Sequence, residues 1–304
     1  MKEVDYIWMD GEFVEWEKAK VHVLTHALHY GTGIFEGIRA YENRGCAAVF
    51  RLEEHMERFI NSAKIINMEL DHTKDELIEV IDDLILKNDL DACYIRPIAF
   101  RGYKNMGVNP LNNPVNVSIA TWPWGEYLGE GALENGIDTQ TSSWARHHPN
   151  IFPSKAKATG NYLNSVMAKM EALENGYTES IMLNPQGYVA EGTGENLFIV
   201  RDKELFTAPT ADVLEGITCK SIIEIAENLG YTVHEEPITR DQIYISDEAF
   251  FTGTAAEVTP IKSVDRRIIS DGKGPVTDEI QATFLKAVKG KIDRYKKWLH
   301  KIEK

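Results

Sequence analysis

With 304 residues, 43% of them hydrophobic and 26% charged, the chain has the composition of a folded globular protein that is long enough for two domains. It carries 33 Lys and Arg against 47 Asp and Glu, and the resulting net charge of −14 disfavours nonspecific binding to nucleic acid or anionic lipid. We expect neither a secretory signal in the acidic N-terminus nor a membrane helix, because no apolar run approaches the roughly 18–20 residues required. Three widely separated cysteines, Cys46, Cys93 and Cys219, lack metal-ligand spacing and indicate free thiols in a reducing cytoplasm.

The first third of the chain predicts an α+β domain over residues 1–125. Aromatic runs on either side of Asp10-Gly11 predict a β-hairpin. Apolar residues at helical spacing predict helices in EEHMERFINSAKIINM and HTKDELIEVIDDLILKNDL, and the second begins with the Thr73–Glu76 spacing of a capping box. The segments CYIRPIAFRG and NVSIATWPW predict strands. A glycine-rich stretch at 126–136 is expected to connect this domain to the next.

Residues 137–304 predict a larger second domain, so that the fold class is mixed α/β (α+β). Strands are predicted in IDTQTSSW, in the hairpins SIMLNPQGYVAEG and ENLFIVRDKELFTA, and in EAFFTGTAAEVTPIKSV. Helices are predicted in NYLNSVMAKMEALENG and TCKSIIEIAENLG, and TDEIQATFLKAVKGKIDRYKKWLHKI predicts one long amphipathic C-terminal helix.

The stretch SKAKATGNY contains two candidate chemical lysines, Lys155 and Lys157. A lysine that forms covalent bonds must lose its proton, which burial or a neighbouring cation promotes. Small residues follow Lys157 and would let a planar ligand approach the backbone, and the phenol of Tyr162 comes shortly after. A lone lysine in a loop is more often simply solvated.

Four further features are weak individually but consistent together. Glu191 ends a predicted strand, where a desolvated carboxylate needs a cationic partner. Thr218 is a candidate helix N-cap in LEGIT, Thr254 lies in a glycine turn suited to an anion, and Arg58 could bind the same anion. A lysine, a phenol, a carboxylate, two anion sites and an arginine suit pyridoxal 5'-phosphate (PLP), which needs an imine-forming amine, a partner for its pyridine nitrogen and a phosphate site.

The sequence resembles the branched-chain amino acid aminotransferases, which are fold-type IV PLP enzymes. The resemblance covers nearly the whole chain, through motifs that include HYGTGIFEGIRAY, YIRPIAFRGYKNMGVNP, WPWGEYLG, KAKATGNYLNS, EGTGENLF, LEGIT and GTAAEVTP. It implies a small N-terminal α+β domain and a larger C-terminal domain with a β-barrel-like core. It also implies a homo-oligomer that is at least a dimer, with a hexamer as the larger alternative.

The resemblance also implies roles for individual residues. Lys157 is implied as the Schiff-base lysine and proton shuttle, Tyr162 as the partner of the ring oxygen and Glu191 as the partner of the pyridine nitrogen. The implied phosphate-binding positions are Arg58, Ile217, Thr218 and Thr254. The implied substrate positions are Phe35, Gly37, Tyr94, Arg96, Tyr127, Thr254 and Ala255, with Tyr30, Met106 and Val108 reaching across a dimer interface.

The activity implied is transfer of an amino group from L-leucine, L-isoleucine or L-valine to 2-oxoglutarate, with Arg96 meeting the γ-carboxylate of glutamate. A D-amino acid transaminase or an aminodeoxychorismate lyase on the same fold is the alternative. Cys219 stands where the family usually has a basic residue, and Thr159 where it often has glycine. His147 and His148 are expected to be a solvated loop pair.

Overall fold

The computed structural model describes residues 2–125, 127–211 and 213–303. The strands are β1 (Tyr6–Met9), β2 (Glu12–Glu15), β3 (Gly33–Phe35), β4 (Ile38–Asn43), β5 (Cys46–Phe50), β6 (Cys93–Arg101), β7 (Val115–Trp122), β8 (Ile137–Thr141), β9 (Glu179–Leu183), β10 (Val189–Gly192), β11 (Asn196–Arg201), β12 (Glu204–Thr207), β13 (Val233–Glu235), β14 (Glu248–Gly253), β15 (Glu257–Val264), β16 (Arg267–Ile268) and β17 (Leu299–Ile302). The α-helices are α1 (His26–Tyr30), α2 (Leu52–Ile65), α3 (Lys74–Lys87), α4 (Ala132–Asn135), α5 (Tyr162–Glu174), α6 (Ile217–Asn228), α7 (Arg240–Tyr244) and α8 (Pro275–Val288), with short 3₁₀ turns at Trp16–Lys18, Thr159–Asn161 and Asp293–Trp298.

The chain forms two compact units, each assembled from separate stretches of sequence. The first unit contains residues 2–125, 156–161 and 286–303, and the second contains residues 127–155 and 162–285 outside position 212. Residues 156–161 and 286–303 therefore group with the N-terminal residues, whereas a contiguous division at 137 would place them with the second domain.

The first unit is built on an antiparallel sheet in the order β17-β5-β4-β6-β7-β1-β2, with β3 also paired to β6. The predicted hairpin is confirmed, since β1 and β2 pair around Asp10 and Gly11, whose φ angles of 47° and 97° suit a tight turn. The predicted capping box is also confirmed, because Thr73 Oγ1 accepts the Glu76 N–H at the start of α3.

One apolar core stabilises the first unit. Fully buried residues of α2 and α3, such as Met56, Phe59 and Ile81, belong to the same cluster as Ile95 of the sheet. Burying a side chain of this size contributes roughly 1.5–3 kcal/mol. Ala158 is part of this cluster, so the segment that carries the two candidate lysines enters the core of this unit.

The second unit is built on a curled, half-barrel sheet in the order β10-β9-β8-β15-β14-β11-β12-β13, with β16 added to β15. The two predicted hairpins are confirmed as the antiparallel pairs β9–β10 and β11–β12, and the strands predicted in EAFFTGTAAEVTPIKSV are confirmed as the antiparallel pair β14–β15. The parallel pairs are β8 with β9, β8 with β15, and β12 with β13. Both units mix helices and strands, which confirms the predicted fold class.

The prediction of one long C-terminal helix is wrong. Helix α8 ends at Val288, and a 3₁₀ turn and strand β17 follow. Gly290 has a left-handed φ of 64°, and Asn43 Nδ2 donates to the Lys289 carbonyl at 3.1 Å, which ends the helix. Strand β17 then pairs with β5, and this long-range pairing overrides the local helical periodicity.

Within residues 2–125, 127–211 and 213–303, the helices are all too short or too polar to cross a bilayer.

Candidate active site

The two candidate lysines differ in their surroundings. Lys155 Nζ donates to the Thr210 carbonyl, and it lies 3.3 Å from the Val213 carbonyl oxygen and 3.2 Å from a Glu215 carboxylate oxygen. These contacts join Lys155 to the loop that precedes α6, within the second unit. Lys155 is therefore engaged in holding that loop.

Lys157 is held through its main chain in the first unit. Its N–H donates to Ser62 Oγ at 3.0 Å, and its carbonyl accepts the Phe35 N–H at 3.0 Å. Its Nζ lies 5.1 Å from the centre of the Phe35 ring. Two residues later, Thr159 Oγ1 donates to the Gly31 and Gly33 carbonyls, so the side chain that departs from the family pattern is fixed by main-chain acceptors.

Phe35 also contacts the arginine that was predicted to lie near the substrate. The Arg96 guanidinium carbon is 4.9 Å from the Phe35 ring centre and 5.3 Å from that of Tyr94, and Arg96 Nη2 is 3.3 Å from Tyr94 Oη. Among the described residues, buried Arg96 Nε has no hydrogen-bond partner. The structure thus brings Phe35, Tyr94, Arg96 and Lys157 together in the first unit.

Gly37 is required by the position of Tyr94. A Cβ added at Gly37 would lie 2.0 Å from the Tyr94 hydroxyl, far below van der Waals contact. Tyr94 is only 5% exposed, and its ring packs 5.2 Å from Trp122 and 4.5 Å from Trp124. Sequence reasoning missed Trp124, whose signal was its place in the WPWG motif next to predicted Tyr127.

Arg58 lies on α2, one helical turn before Ser62. Its guanidinium makes two hydrogen bonds to the buried carboxylate of Glu36, at 2.6 Å from Nε and 2.9 Å from Nη2. His55 Nδ1 lies 2.8 Å from the same carboxylate. Sequence reasoning missed Glu36 and His55, although Glu36 stands between Phe35 and Gly37, which were both predicted to lie near the substrate.

In the second unit, Glu191 is part of β10 and is 5% exposed. Its carboxylate lies 2.7 Å from Arg146 Nε, in an ion pair whose side chains are less than one tenth exposed. Arg146 Nη1 also donates to Ser165 Oγ at 3.1 Å, and the Leu214 N–H donates to Glu191 Oε2 at 3.4 Å. Arg146 is the cationic partner that the desolvated Glu191 carboxylate needs. Sequence reasoning missed this arginine.

Helix α6 presents the N–H groups of its first turn near Glu191, because Leu214 lies just before it. The predicted N-cap is wrong: Gly216 occupies the N-cap position, and Ile217 and Thr218 are the first two helical residues. The first N–H groups of a helix have no intrahelical acceptor, which suits an anion. Ile217 and Thr218 are both buried.

This chain has Cys219 where a basic residue was expected, and the cysteine supplies no cation at that position. Burial raises the pKa of Cys219 to about 12, so its thiol remains protonated at neutral pH. The neighbouring Lys220 lies 2.7 Å from a carboxylate oxygen of Glu215, and hydrogen bonding to Lys220 lowers the pKa of Glu215. The charge of Lys220 is therefore balanced by Glu215.

The remaining predicted residues of the second unit lie on three elements. Tyr162 begins α5, Thr254 and Ala255 form the turn between β14 and β15, and Tyr127 precedes α4. Tyr127 and Ala255 line one small cavity. The hydroxyl of Thr252, at the end of β14, is buried and has no hydrogen-bond partner among the described residues.

Three residues predicted to face a partner copy are exposed. Tyr30, Met106 and Val108 are 44%, 46% and 86% exposed. His26 Nε2 lies 2.7 Å from the Gly107 carbonyl oxygen, so this buried histidine joins α1 to the loop that carries Met106 and Val108.

The expectation of a solvated histidine pair is wrong for one member. His148 is exposed, but His147 is only 8% exposed and its ring packs against Phe152. Burial, followed by the charge of Arg146, lowers the pKa of His147 to about 4, so the ring is neutral at pH 7.

Comparison with known proteins gives consistent matches. The profile of the class IV amino-transferases matches residues 33–264. The branched-chain-amino-acid aminotransferase of Escherichia coli is 49% identical over 304 residues, covering 99% of this chain and 98% of the relative. A crystal structure of the Escherichia coli branched-chain amino acid aminotransferase has a TM-score of 0.97 at 48% identity and covers 99% of this chain and 100% of the other. The branched-chain amino acid aminotransferase of Thermobaculum terrenum, in its PLP form, has a TM-score of 0.93 at 36% identity and covers 100% of both chains.

Proposed function

Because the chain belongs to the class IV amino-transferase family and is a PLP-dependent transaminase, we propose that it moves the amino group of L-leucine, L-isoleucine or L-valine to 2-oxoglutarate. The products are the branched 2-oxo acid and L-glutamate. The observation that carries this proposal is the ring of Phe35, which has the Lys157 amine and the Arg96 guanidinium each about 5 Å away. An apolar surface and one cation therefore lie next to the proposed reactive amine.

The functional groups present fit the parts of PLP. The Lys157 amine suits the aldehyde, and the buried Glu191 carboxylate suits the pyridine nitrogen. Arg58, the first N–H groups of α6 at Ile217 and Thr218, and Thr254 suit the phosphate. Tyr162 supplies a phenol for the ring oxygen. The orphaned hydroxyl of buried Thr252, next to the turn with Thr254, supports a polar ligand at this end of the second unit.

When bound, PLP supplies an electron sink for the bond electrons left when the substrate loses its α-proton. With PLP bound, Lys157 would be the residue that holds its aldehyde, and the freed Lys157 amine would be the general base for the substrate α-proton. Glu191, oriented by Arg146, would hold the proton on the pyridine nitrogen. The main-chain hydrogen bonds of Lys157 to Ser62 and Phe35 hold its Cα in place, which helps to position its amine.

One substrate pocket must accept both branched aliphatic and carboxylate side chains. Phe35 and Tyr94 offer apolar faces, and each CH₂ that they remove from water contributes about 0.8 kcal/mol. Arg96 offers its guanidinium to the γ-carboxylate of glutamate. The missing side chain at Gly37 preserves the position of Tyr94. Tyr127 and Ala255, the other substrate positions in this proposal, line a small cavity of the second unit.

A second copy of the chain completes the site in this proposal. Tyr30, Met106 and Val108 are large apolar residues with 44% or more of their surface exposed, which is typical of residues that an interface covers. Sedimentation velocity should show a dimer or a larger assembly. A monomer with full activity would contradict a shared site.

The two lysines provide the test of the reaction. Lys157→Ala should abolish both the absorbance of covalently bound cofactor and transamination of L-leucine. Lys155→Ala is the matched control and should retain both, because the Lys155 amine contacts a loop in the second unit. Borohydride reduction and peptide mapping should place the cofactor on Lys157. A label elsewhere, or loss of absorbance in Lys155→Ala alone, would refute the assignment.

The choice of substrate has its own test. L-leucine, L-isoleucine and L-valine should each convert the bound cofactor to its aminated form, while D-alanine and aminodeoxychorismate should not. Faster conversion by D-alanine would favour the D-amino acid transaminase alternative on the same fold.

A further inference from the structure

A buried carboxylate lies behind the guanidinium of Arg58. Glu36, between β3 and β4, is 0% exposed, and each of its two oxygens accepts a hydrogen bond from Arg58, at 2.6 Å and 2.9 Å. This planar two-bond pairing uses two of the five guanidinium N–H groups and defines the orientation of the others. Arg58 itself is 12% exposed in its side chain, so it has little room to turn.

Two other donors hold Glu36 in place. His55 Nδ1 lies 2.8 Å from Glu36 Oε2, and the Gly37 N–H donates to the same oxygen at 3.2 Å. A carboxylate only accepts hydrogen bonds, so His55 Nδ1 carries the proton in this pair. Burial lowers the pKa of His55 despite the hydrogen bond to Glu36, so the ring is neutral at pH 7. His55 Nε2 is then an acceptor, and it is buried without a hydrogen-bond partner among the described residues.

Glu36 is ionised in this arrangement. Burial alone would raise the pKa of Glu36, but the charge of Arg58 and the hydrogen bonds from His55 and Arg58 together hold it far below its ordinary value. The pair of Glu36 and Arg58 is therefore close to neutral as a whole. Charge alone would make such a pair a poor site for phosphate, since the carboxylate repels the anion that the guanidinium attracts.

The same segment also fixes the lysine. Phe35, adjacent to Glu36, donates its N–H to the Lys157 carbonyl, and Ser62, four residues after Arg58 on α2, accepts the Lys157 N–H. Residues four apart lie on the same face of a helix. The anchor of Arg58 and the anchor of Lys157 are thus built from the same two elements, but the Lys157 bonds go to Phe35 and Ser62 and do not involve the Glu36 carboxylate.

We infer that Glu36 is a positioning residue, which holds the Arg58 guanidinium in the orientation that binds the cofactor's phosphate. The Glu36 charge lowers the net positive charge at Arg58, but the fixed orientation of the guanidinium outweighs that loss. This inference rests on the proposed function, in which Arg58 contacts that phosphate. Charge balance and positioning predict opposite signs for loss of the carboxylate. Removing the repelling charge of Glu36 would tighten phosphate binding, whereas loss of the two hydrogen bonds that orient the Arg58 guanidinium would weaken phosphate binding.

The ratio of two dissociation constants measures this effect. The full-length chain, freed of cofactor in phosphate-free buffer, is titrated with PLP and with pyridoxal, which lacks the phosphate. The ratio of the pyridoxal constant to the PLP constant reports the phosphate contacts alone. For Glu36→Gln we expect this ratio to fall at least tenfold, with pyridoxal binding changed less than twofold. Glu54→Gln, which removes a half-exposed carboxylate of α2 that pairs with Arg51 just before the helix, should leave the ratio unchanged.

A third variant separates this inference from the proposed function. Arg58→Ala should collapse the ratio. If it does not, the phosphate role of Arg58 is wrong. If Arg58→Ala collapses the ratio but Glu36→Gln leaves it unchanged, raises it, or weakens both ligands equally, only the inference about Glu36 is wrong. Should Glu36→Gln fail to fold, Glu36→Asp keeps the charge but shortens the arm by one CH₂, and the same fall in the ratio is expected.

Discussion

Glu195 permits a quantitative test of the electrostatics of the second unit. It lies between β10 and β11 and is 3% exposed. The Gly194 N–H donates to Glu195 Oε2 at 3.0 Å, while Oε1 is buried without a hydrogen-bond partner among the described residues. Burial, followed by the charge of Glu179, raises the pKa of Glu195 to about 8, and Glu191 adds to this rise. The charge of Lys169 opposes the rise, but Lys169 Nζ is itself paired with the Glu179 carboxylate at 2.7 Å.

The sign and size of the effect follow from proton linkage. Between pH 5.5 and 7.5 the folded protein holds a proton on Glu195, whereas the unfolded chain, with an ordinary glutamate pKa of about 4.3, has released it. The unfolded state binds fewer protons, so the free energy of unfolding falls as pH rises, by up to about 1.4 kcal/mol per pH unit. Over these two pH units the loss from Glu195 amounts to about 2.5 kcal/mol.

Replacing Glu195 with glutamine removes this loss. Glu195→Gln is neutral in both states and keeps an acceptor for the Gly194 N–H, so its free energy of unfolding should fall less steeply with pH than that of the wild type. Urea unfolding at pH 5.5, 6.5 and 7.5, at fixed protein and PLP concentrations, measures the difference. Glu174→Gln, at the exposed end of α5, is the control and should follow the wild type. An unchanged pH slope in Glu195→Gln would refute the protonated state.

Two further substitutions test the substrate and cofactor contacts. Gly37→Ala places a Cβ where the Tyr94 hydroxyl lies, so kcat/KM for L-leucine should fall at least tenfold. Gly125→Ala is the control and should remain within twofold, because an added Cβ there meets open space. Equal effects of the two substitutions would contradict the close approach of Tyr94 to Gly37. Glu191→Gln, opposite Arg146, should leave PLP bound but slow loss of the substrate α-proton at least tenfold, because an amide cannot hold the pyridine nitrogen protonated; stopped-flow single turnovers measure this rate, and an unchanged rate would exclude the role.

The sequence predicted those parts of the fold whose causes are local. The turn at Asp10-Gly11 and the capping box at Thr73 depend on residues within four positions of each other, and both are present. The end of α8 depends on distant Asn43 as well as on Gly290, and its start depends on Glu248, whose carboxylate accepts the Val276 and Thr277 N–H groups. No pattern within the helix itself contains those partners.

The candidate site shows the same division. Motif resemblance singled out Lys157 and Glu191, but it said nothing of what holds them. Arg146 lies 45 positions before Glu191, and their pairing is visible only after β10 and the preceding loop have folded. Glu36 and Arg58 likewise meet only when α2 packs on the first sheet. Charges that neutralise each other in a core look like ordinary surface charges in a linear sequence.

The pairing of β17 with β5 has a consequence for biosynthesis. The ribosome makes β5 well before Leu299–Ile302, which form one edge of the first sheet, and another part of that unit's core comes from Ala156 and Ala158. Strand β5 must therefore wait, with this edge uncovered, until Leu299–Ile302 have been made. An uncovered edge is a site for aggregation, so the first unit carries that hazard for as long as Leu299–Ile302 are missing from it.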